Sequence, residues 1–309
     1  MAMPIEKLVG IMRKNAAAAA AAAASSGPSG KKVTMAMRRE GMEKTSFPVA
    51  PDVKVEKLTV AGRDAEWIRA PGVKDGYAIL YLHGGGYVMG SLNTHRALAG
   101  EISRAARAAV LLLDYRLAPE NKFPAAVEDG VAGFKFLLAQ GYAPEKIAIG
   151  GDSAGGGLTA ATLVALRDEK SVLPAAGVLI SPWSDLTCTN PSYKTRAEAD
   201  PMIGGEGGGG LDGMSGLYLQ GASVVHPHAS PNFADLTGLP PLLIHVGDAE
   251  VLLDDSIRLH DKAKACGVDS TLEVWPKMIH VWHAFHPMLD EGKQGIERIG
   301  EYLRGKWGM

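Results

Sequence analysis

Residues 146–155 read Lys146-Ile147-Ala148-Ile149-Gly150-Gly151-Asp152-Ser153-Ala154-Gly155. The short apolar run at 146–150 predicts a buried strand, and residues 154–166 predict a helix. Between them lies a Gly-x-Ser-x-Gly centred on Ser153. A serine on a sharp strand-to-helix turn, strained, with Oγ exposed and small neighbours, is the layout of a nucleophile. The helix N-terminus behind it favours negative charge on a substrate oxygen. A tight turn that happens to contain serine is the bland alternative, and the strand before and helix after speak against it. No Gly-Lys-Ser/Thr follows, which excludes a phosphate loop, and a dinucleotide fingerprint needs a GxGxxG earlier in the chain.

Working towards the N-terminus, His83-Gly84-Gly85-Gly86-Tyr87 follows an apolar run at 77–82. Three glycines let backbone approach a ligand closely and turn N–H groups towards it. A tetrahedral intermediate needs such donors where its oxygen becomes negative, and losing one costs about 10²–10³ in rate. Loops of this type supply half of an oxyanion hole, and the N–H after the nucleophile, here Ala154, supplies the rest.

Further apolar runs at 109–113, 178–180, 242–246 and 271–275 are mostly separated by helix-length segments. One such helix opens at Pro124 with Glu128 and Asp129 early in it. A second runs from about Leu252 to Cys266 and ends at Gly267, and a third from about Pro287 to Arg304 stops at Gly305. Strands apolar throughout and alternating with helices predict a parallel sheet covered on both faces. Runs at 55–60 and 65–70 around Ala61-Gly62-Arg63-Asp64 predict a β-hairpin. Residues 185–230, rich in glycine and polar groups, interrupt the alternation as an insertion over one end of the sheet. The nine alanines at 16–24 and the glycine-rich patch at 204–210 carry no readable chemistry.

The 309 residues, 46% hydrophobic and 21% charged, provide a large core and exclude a disordered chain. A net charge of −2 leaves no basic excess for nucleic acid. Cys188 and Cys266 form no CxxC and no disulfide framework. No stretch reaches the roughly 18 apolar residues of a membrane span. The basic segment before the alanine run resembles a secretory signal, but alanine is barely apolar and Glu6 interrupts the basic segment. A helical or flexible N-terminal arm and a cytoplasmic location are therefore expected.

These strings, with Asp114-Tyr115-Arg116-Leu117-Ala118-Pro119-Glu120, Phe123-Pro124-Ala125-Ala126, Ser181-Pro182-Trp183 and Leu239-Pro240-Pro241, resemble the bacterial hormone-sensitive-lipase branch (family IV) of the α/β-hydrolases. The resemblance implies an α/β fold with a mostly parallel eight-stranded sheet, helices on both faces and a helical cap. The cap would combine an N-terminal arm, 1–45, with the insertion 185–230, over core segments 46–184 and 231–309. It further implies that Gly85 and Gly86 donate to the oxyanion together with Ala154, and that Tyr87, Asp152 and Trp183 border the substrate.

In this fold the acid and then the base follow the serine. Asp248, Glu250, Asp254 and Asp255 compete for the first role. In the family the acid usually stands nine residues past the second proline of Leu-Pro-Pro, which from Pro241 gives Glu250 in place of the usual aspartate. Either carboxylate can hold an imidazole tautomer and stabilise imidazolium. Asp254 ranks next and Asp248 after it, and Asp254 and Asp255 otherwise fit the solvated first turn of a helix. His280, five residues past the run at 271–275, is the expected base. His280, His283 and His286 also make an HxxHxxH, but it lacks the HExxH glutamate and a fourth ligand, so no metal is expected. His283 and His286 fit the start of the last helix, His83 the shaping of its loop, and His226 and His228 the surface of the insertion or a site entrance.

The expected activity is hydrolysis of short- to medium-chain carboxylic esters by Ser153, His280 and Glu250 through an acyl-enzyme, without a cofactor. The rivals are acyl transfer or amide hydrolysis by the same triad, and a non-catalytic small-ligand receptor of this fold, which would lack the histidine. The expected partner is a small-molecule ester, with a homodimer left open.

Overall fold

The computed structural model describes residues 2–25, 34–204 and 210–309. Parts of the expected arm and of the glycine-rich patch, residues 26–33 and 205–209, lie outside these. Two N-terminal helices, α1 (Ile5–Ser25) and α2 (Met35–Glu43), precede an α/β core. In order follow β1 (Lys54–Val60), β2 (Arg63–Arg69), β3 (Ala78–Leu82), α3 (Leu92–Ala106), β4 (Ala109–Leu113), α4 (Ala125–Ala139), β5 (Ile147–Asp152) and α5 (Ala154–Asp168). Then come β6 (Ala176–Ile180), α6 (Ser192–Thr195), α7 (Leu211–Leu219), β7 (Leu242–Gly247), α8 (Leu253–Ala265), β8 (Ser270–Trp275) and α9 (Asp290–Lys306).

The sheet has eight strands in the order β1-β2-β4-β3-β5-β6-β7-β8. The first two pairings are antiparallel, and every pairing from β4 to β8 is parallel. The expected hairpin is tighter than its polar linker implied: Ala61 and Gly62 both take positive φ, and Arg63 and Asp64 already pair across the ladder.

Alternate side chains of the central strands bury on opposite faces, as a two-residue period requires. Leu80, Leu82, Ile149 and Leu179 pack with Phe134 of α4 and Leu158 of α5. Ile79, Tyr81, Ala148 and Val178 pack with Leu98 and Ile102 of α3 and Ile299 and Leu303 of α9. Helices therefore cover both faces, and the C-terminal ends of β3, β5, β6 and β7 converge on one edge, where ligands bind in such sheets.

The last helix begins at Asp290 rather than near Pro287 and runs through Gly305 to Lys306. His283 lies in a separate 3₁₀ turn, Trp282–Phe285, and His286 caps it, so neither histidine starts the helix. Leu289 stays extended, and Asp290 and Glu291 provide the negative charge that suits a helix N-terminus.

The N-terminal helices and the insertion meet the core near these strand ends. Ile5 and Leu8 of α1 pack with Met278, Ile279, Trp282 and Leu289. From α2, Arg39 donates to the Val88 and Ala118 carbonyls at 2.8 and 2.9 Å. In the insertion, Tyr218 of α7 stacks on Tyr87 with ring centroids 3.9 Å apart. No helix among the described residues is long and apolar enough to cross a membrane.

Candidate active site

Ser153 occupies the sharp corner between β5 and α5, with φ 54° and ψ −121°. A non-glycine residue held there stores about 1–3 kcal/mol of strain, which the surroundings must offset. They do so through Ser153 N–H donating to the Ile180 carbonyl at 2.8 Å, while its own carbonyl accepts from Trp183 N–H at 2.9 Å. The glycines on either side are sterically required. A Cβ on Gly151 would run into the Leu82 and Gly155 carbonyls, and one on Gly155 into the Leu82 carbonyl.

The His83–Gly86 loop leaves the end of β3 beside this corner. Gly85 and Gly86 take positive φ, 120° and 64°, the conformations that favour glycine. The N–H groups of Gly85, Gly86 and Ala154 find no protein acceptor among the described residues. His83 is fully buried, stacks on Tyr115 with centroids 4.3 Å apart, and meets the Gly84 carbonyl through Nδ1 at 2.8 Å. It shapes the loop, as its position in the sequence implied.

Glu250 and His280 arrive from the loops after β7 and β8. His280 Nε2 lies 2.9 Å from Ser153 Oγ, and its Nδ1 lies 2.7 Å from Glu250 Oε2. The carboxylate can only accept, so Nδ1 carries the proton and Nε2 presents a lone pair to the serine. The other oxygen, Glu250 Oε1, accepts from the Ser181 hydroxyl at 2.9 Å and the Gly247 N–H at 2.6 Å. Burial works against charge on His280. The hydrogen bond and charge of Glu250, with Asp200 and Asp152 beyond, outweigh it and raise the histidine above its ordinary pKa.

The competing carboxylates have other partners. Asp248 accepts the Lys277 N–H at 2.6 Å, and Asp254 accepts the Ser192 N–H at 2.7 Å. Asp255, expected in a solvated turn, is instead fully buried and accepts from Asn190 and the Ser184 and Asp185 N–H groups. The three histidines of HxxHxxH diverge, since His283 Nε2 turns away from His280 to His245 Nδ1 at 3.0 Å. His228 pairs with Asp168 at 2.8 Å, and His226 lies edge-on to Phe123, both partly exposed.

Asp152, expected beside the substrate, is buried against the His83–Gly86 loop. Its carboxylate accepts from Tyr81 Oη at 2.9 Å and the Gly84 N–H at 3.2 Å, and pairs with His95 at 3.3 Å. Tyr87 and Trp183 are wholly buried, their rings 5.9 Å apart, and Tyr218 stacks on the former. Sequence reasoning missed three residues of this region: Ser181 on Glu250, Arg39 on the Val88 carbonyl, and Asp200, which accepts the Val251 N–H at 3.1 Å. Ser181 stood inside a noticed string, but nothing local says what its hydroxyl meets.

Residues 79–284 match the family described as alpha/beta hydrolase fold. An acetyl-hydrolase of Streptomyces hygroscopicus is 50% identical over 247 residues, 80% of this chain and 81% of that protein. A crystal structure of EstE5 soaked by p-nitrophenyl butyrate superposes with a TM-score of 0.91 at 61% identity, covering 99% of both chains. An esterase from the bacterial hormone-sensitive lipase family superposes with a TM-score of 0.90 at 49% identity, covering 99% of this chain and 100% of that one. The chain belongs to the hormone-sensitive-lipase-like esterases, family IV, of the α/β-hydrolase fold, and it is an ester-hydrolysing enzyme.

Proposed function

We propose that Ser153, His280 and Glu250 hydrolyse short- to medium-chain carboxylic esters through an acyl-enzyme. The observation that carries this is the unbroken hydrogen-bond chain from Glu250 through His280 to a strained Ser153, beside three N–H groups that find no acceptor among the described residues. Ser153 Oγ attacks the acyl carbon while its proton passes to His280 Nε2. The carbonyl oxygen becomes negative and is held by Gly85, Gly86 and Ala154 N–H. On collapse the C–O bond to the alcohol breaks, and the leaving oxygen takes the proton from His280. Water then attacks the acyl-enzyme with His280 again as base, releasing the acid and regenerating the Ser153 hydroxyl. Glu250 stays ionised, fixing the tautomer and stabilising the transient imidazolium.

Two observations support short acyl groups. Met214 of α7 lies so close over Gly86 that a Cβ there would strike its sulfur, and the Tyr87–Tyr218 stack fills the space alongside. The acetyl-hydrolase relative and the neighbour soaked with a butyrate ester are in keeping with this size. The cap in this reading is residues 1–45 and 185–230, over core parts 46–184 and 231–309.

A fluorophosphonate probe should label Ser153 stoichiometrically, with no label on Ser153→Ala. That variant should lose about 10⁶ in turnover of p-nitrophenyl butyrate, the scale seen when a triad serine is removed. Substantial turnover by folded Ser153→Ala would remove this serine from the mechanism.

A further inference from the structure

The turn after β6, Ile180-Ser181-Pro182-Trp183, touches Ser153, Glu250 and the residue that follows His280. Its backbone grips the serine corner through the Ile180 carbonyl and Trp183 N–H. Ser181 takes a positive φ of 46°, and its N–H donates across to the His245 carbonyl of β7 at 2.7 Å. That fixes a wholly buried hydroxyl between two loops. Ser181 Oγ lies 2.9 Å from Glu250 Oε1 and 3.1 Å from the amide nitrogen of Val281, the residue after His280.

The directions of these two bonds are forced. An amide can only donate, so Val281 N–H occupies a lone pair of the hydroxyl, and the single hydroxyl proton goes to the carboxylate. Val281 is β-branched and held at φ 48°, ψ 44°, a costly conformation for such a side chain. The bond to Ser181 helps pay for it. One oxygen atom therefore steadies the ionised acid and the backbone that aims the base.

We propose that Ser181 is a positioning residue for the ester hydrolysis, bridging Glu250 to the loop that carries His280. The proposal rests on the reading of Glu250 as the acid. Because the bond to the ionised Glu250 is the stronger of the two, most of the effect of losing Ser181 depends on a carboxylate at that position, and the bond to Val281 carries the small remainder. In Ser181→Ala, Glu250 Oε1 loses a donor and Val281 N–H loses its acceptor. A hydrogen bond to a charged group translates into a fall in kcat of about 10- to 100-fold, with KM little changed because no substrate contact is lost.

The test is a double-mutant cycle on the full chain, with kcat, KM and melting temperature measured for wild type, Ser181→Ala, Glu250→Gln and the double variant. Expected is a large kcat loss for Ser181→Ala alone, and less than about threefold further loss when it is added to Glu250→Gln. An equal fold-loss in both backgrounds, or none in the wild type, overturns the proposal. If Glu250→Gln alone leaves kcat intact, the acid assignment falls instead, which separates the two failures. Should Ser181→Ala not fold, Ser181→Cys carries the same cycle, since a thiol is a weaker donor and acceptor in a similar volume.

Discussion

Asp152 is bonded to Gly84: the carboxylate of the residue before Ser153 accepts, at 3.2 Å, the N–H of the second residue of the His83–Gly86 loop. The same oxygen takes the Tyr81 hydroxyl at 2.9 Å, and the other faces His95 at 3.3 Å. The Ser153 corner and the His83–Gly86 loop are thereby tied through one buried side chain. Burial alone would raise this carboxyl, but His95, Tyr81 and His83 hold it below its ordinary pKa.

A lowered carboxyl pKa contributes stability that is present above the unfolded value of about 3.9 and is lost as pH falls through the folded value. Asp152→Asn should accordingly melt lower than wild type near neutrality, with the gap closing as pH drops below about 4. It should also lower kcat/KM for p-nitrophenyl butyrate by about tenfold, since the charge-assisted tether to the loop is gone. A melting-temperature gap that stays constant across that range would show that the charge of Asp152 is not what stabilises the loop.

Glu250→Gln should reduce kcat by about 10³–10⁴, as removing the charge of a triad acid does elsewhere. Asp254→Asn should remain within about threefold of wild type, because among the described residues the Asp254 carboxylate meets only the Ser192 N–H. Steady-state rates for the two variants suffice. The reverse ranking would reassign the acid.

The base must be neutral to take the serine proton, so kcat/KM should rise with pH on its acid limb. Glu250 raises His280, which places the midpoint above the ordinary histidine value of about 6.5. In Glu250→Gln burial is opposed by the smaller effects of Asp200 and Asp152 without the carboxylate partner, and the midpoint of the residual activity should move to lower pH. A pH–rate profile of both proteins gives the sign, and an upward move in the variant would contradict the pairing.

Met214→Ala should lengthen the preferred acyl chain by clearing space over Gly86. Rates across p-nitrophenyl esters from acetate to palmitate should peak at short to medium chains in wild type and shift longer in the variant. A wild-type maximum at laurate or beyond would refute the short-chain preference.

Much of the fold was legible because its signals are local. Each apolar run of the sequence became a strand within about two residues, and Pro124 and Gly267 mark helix ends that chemistry dictates. The start of α9 was less legible, because Pro287 is a good first-turn residue, yet Trp282–Phe285 closes its own 3₁₀ turn first. Asp152 and Asp255 were misread for a shared reason. Both look like solvated or ligand-facing acids in sequence, and both are buried by hydrogen-bond donors from distant segments: Tyr81 and Gly84 for one, Asn190 and Ser184 for the other.

The chain by itself determined the alternating α/β architecture, the serine corner and the glycine-rich loop, since each depends on residues adjacent along the backbone. Glu250 came from counting along a family pattern, and His280 from its place just after the last apolar run. Tertiary structure alone decided that Glu250, not Asp248 or Asp254, reaches His280. It alone set which faces bury Tyr87 and Trp183, and put Ser181 between acid and base loop. Hydrogen bonds between side chains act over about 3 Å, while the residues that make them here lie scores of positions apart. Only the crossing of β5, β6, β7 and β8 into one sheet brings them within that reach.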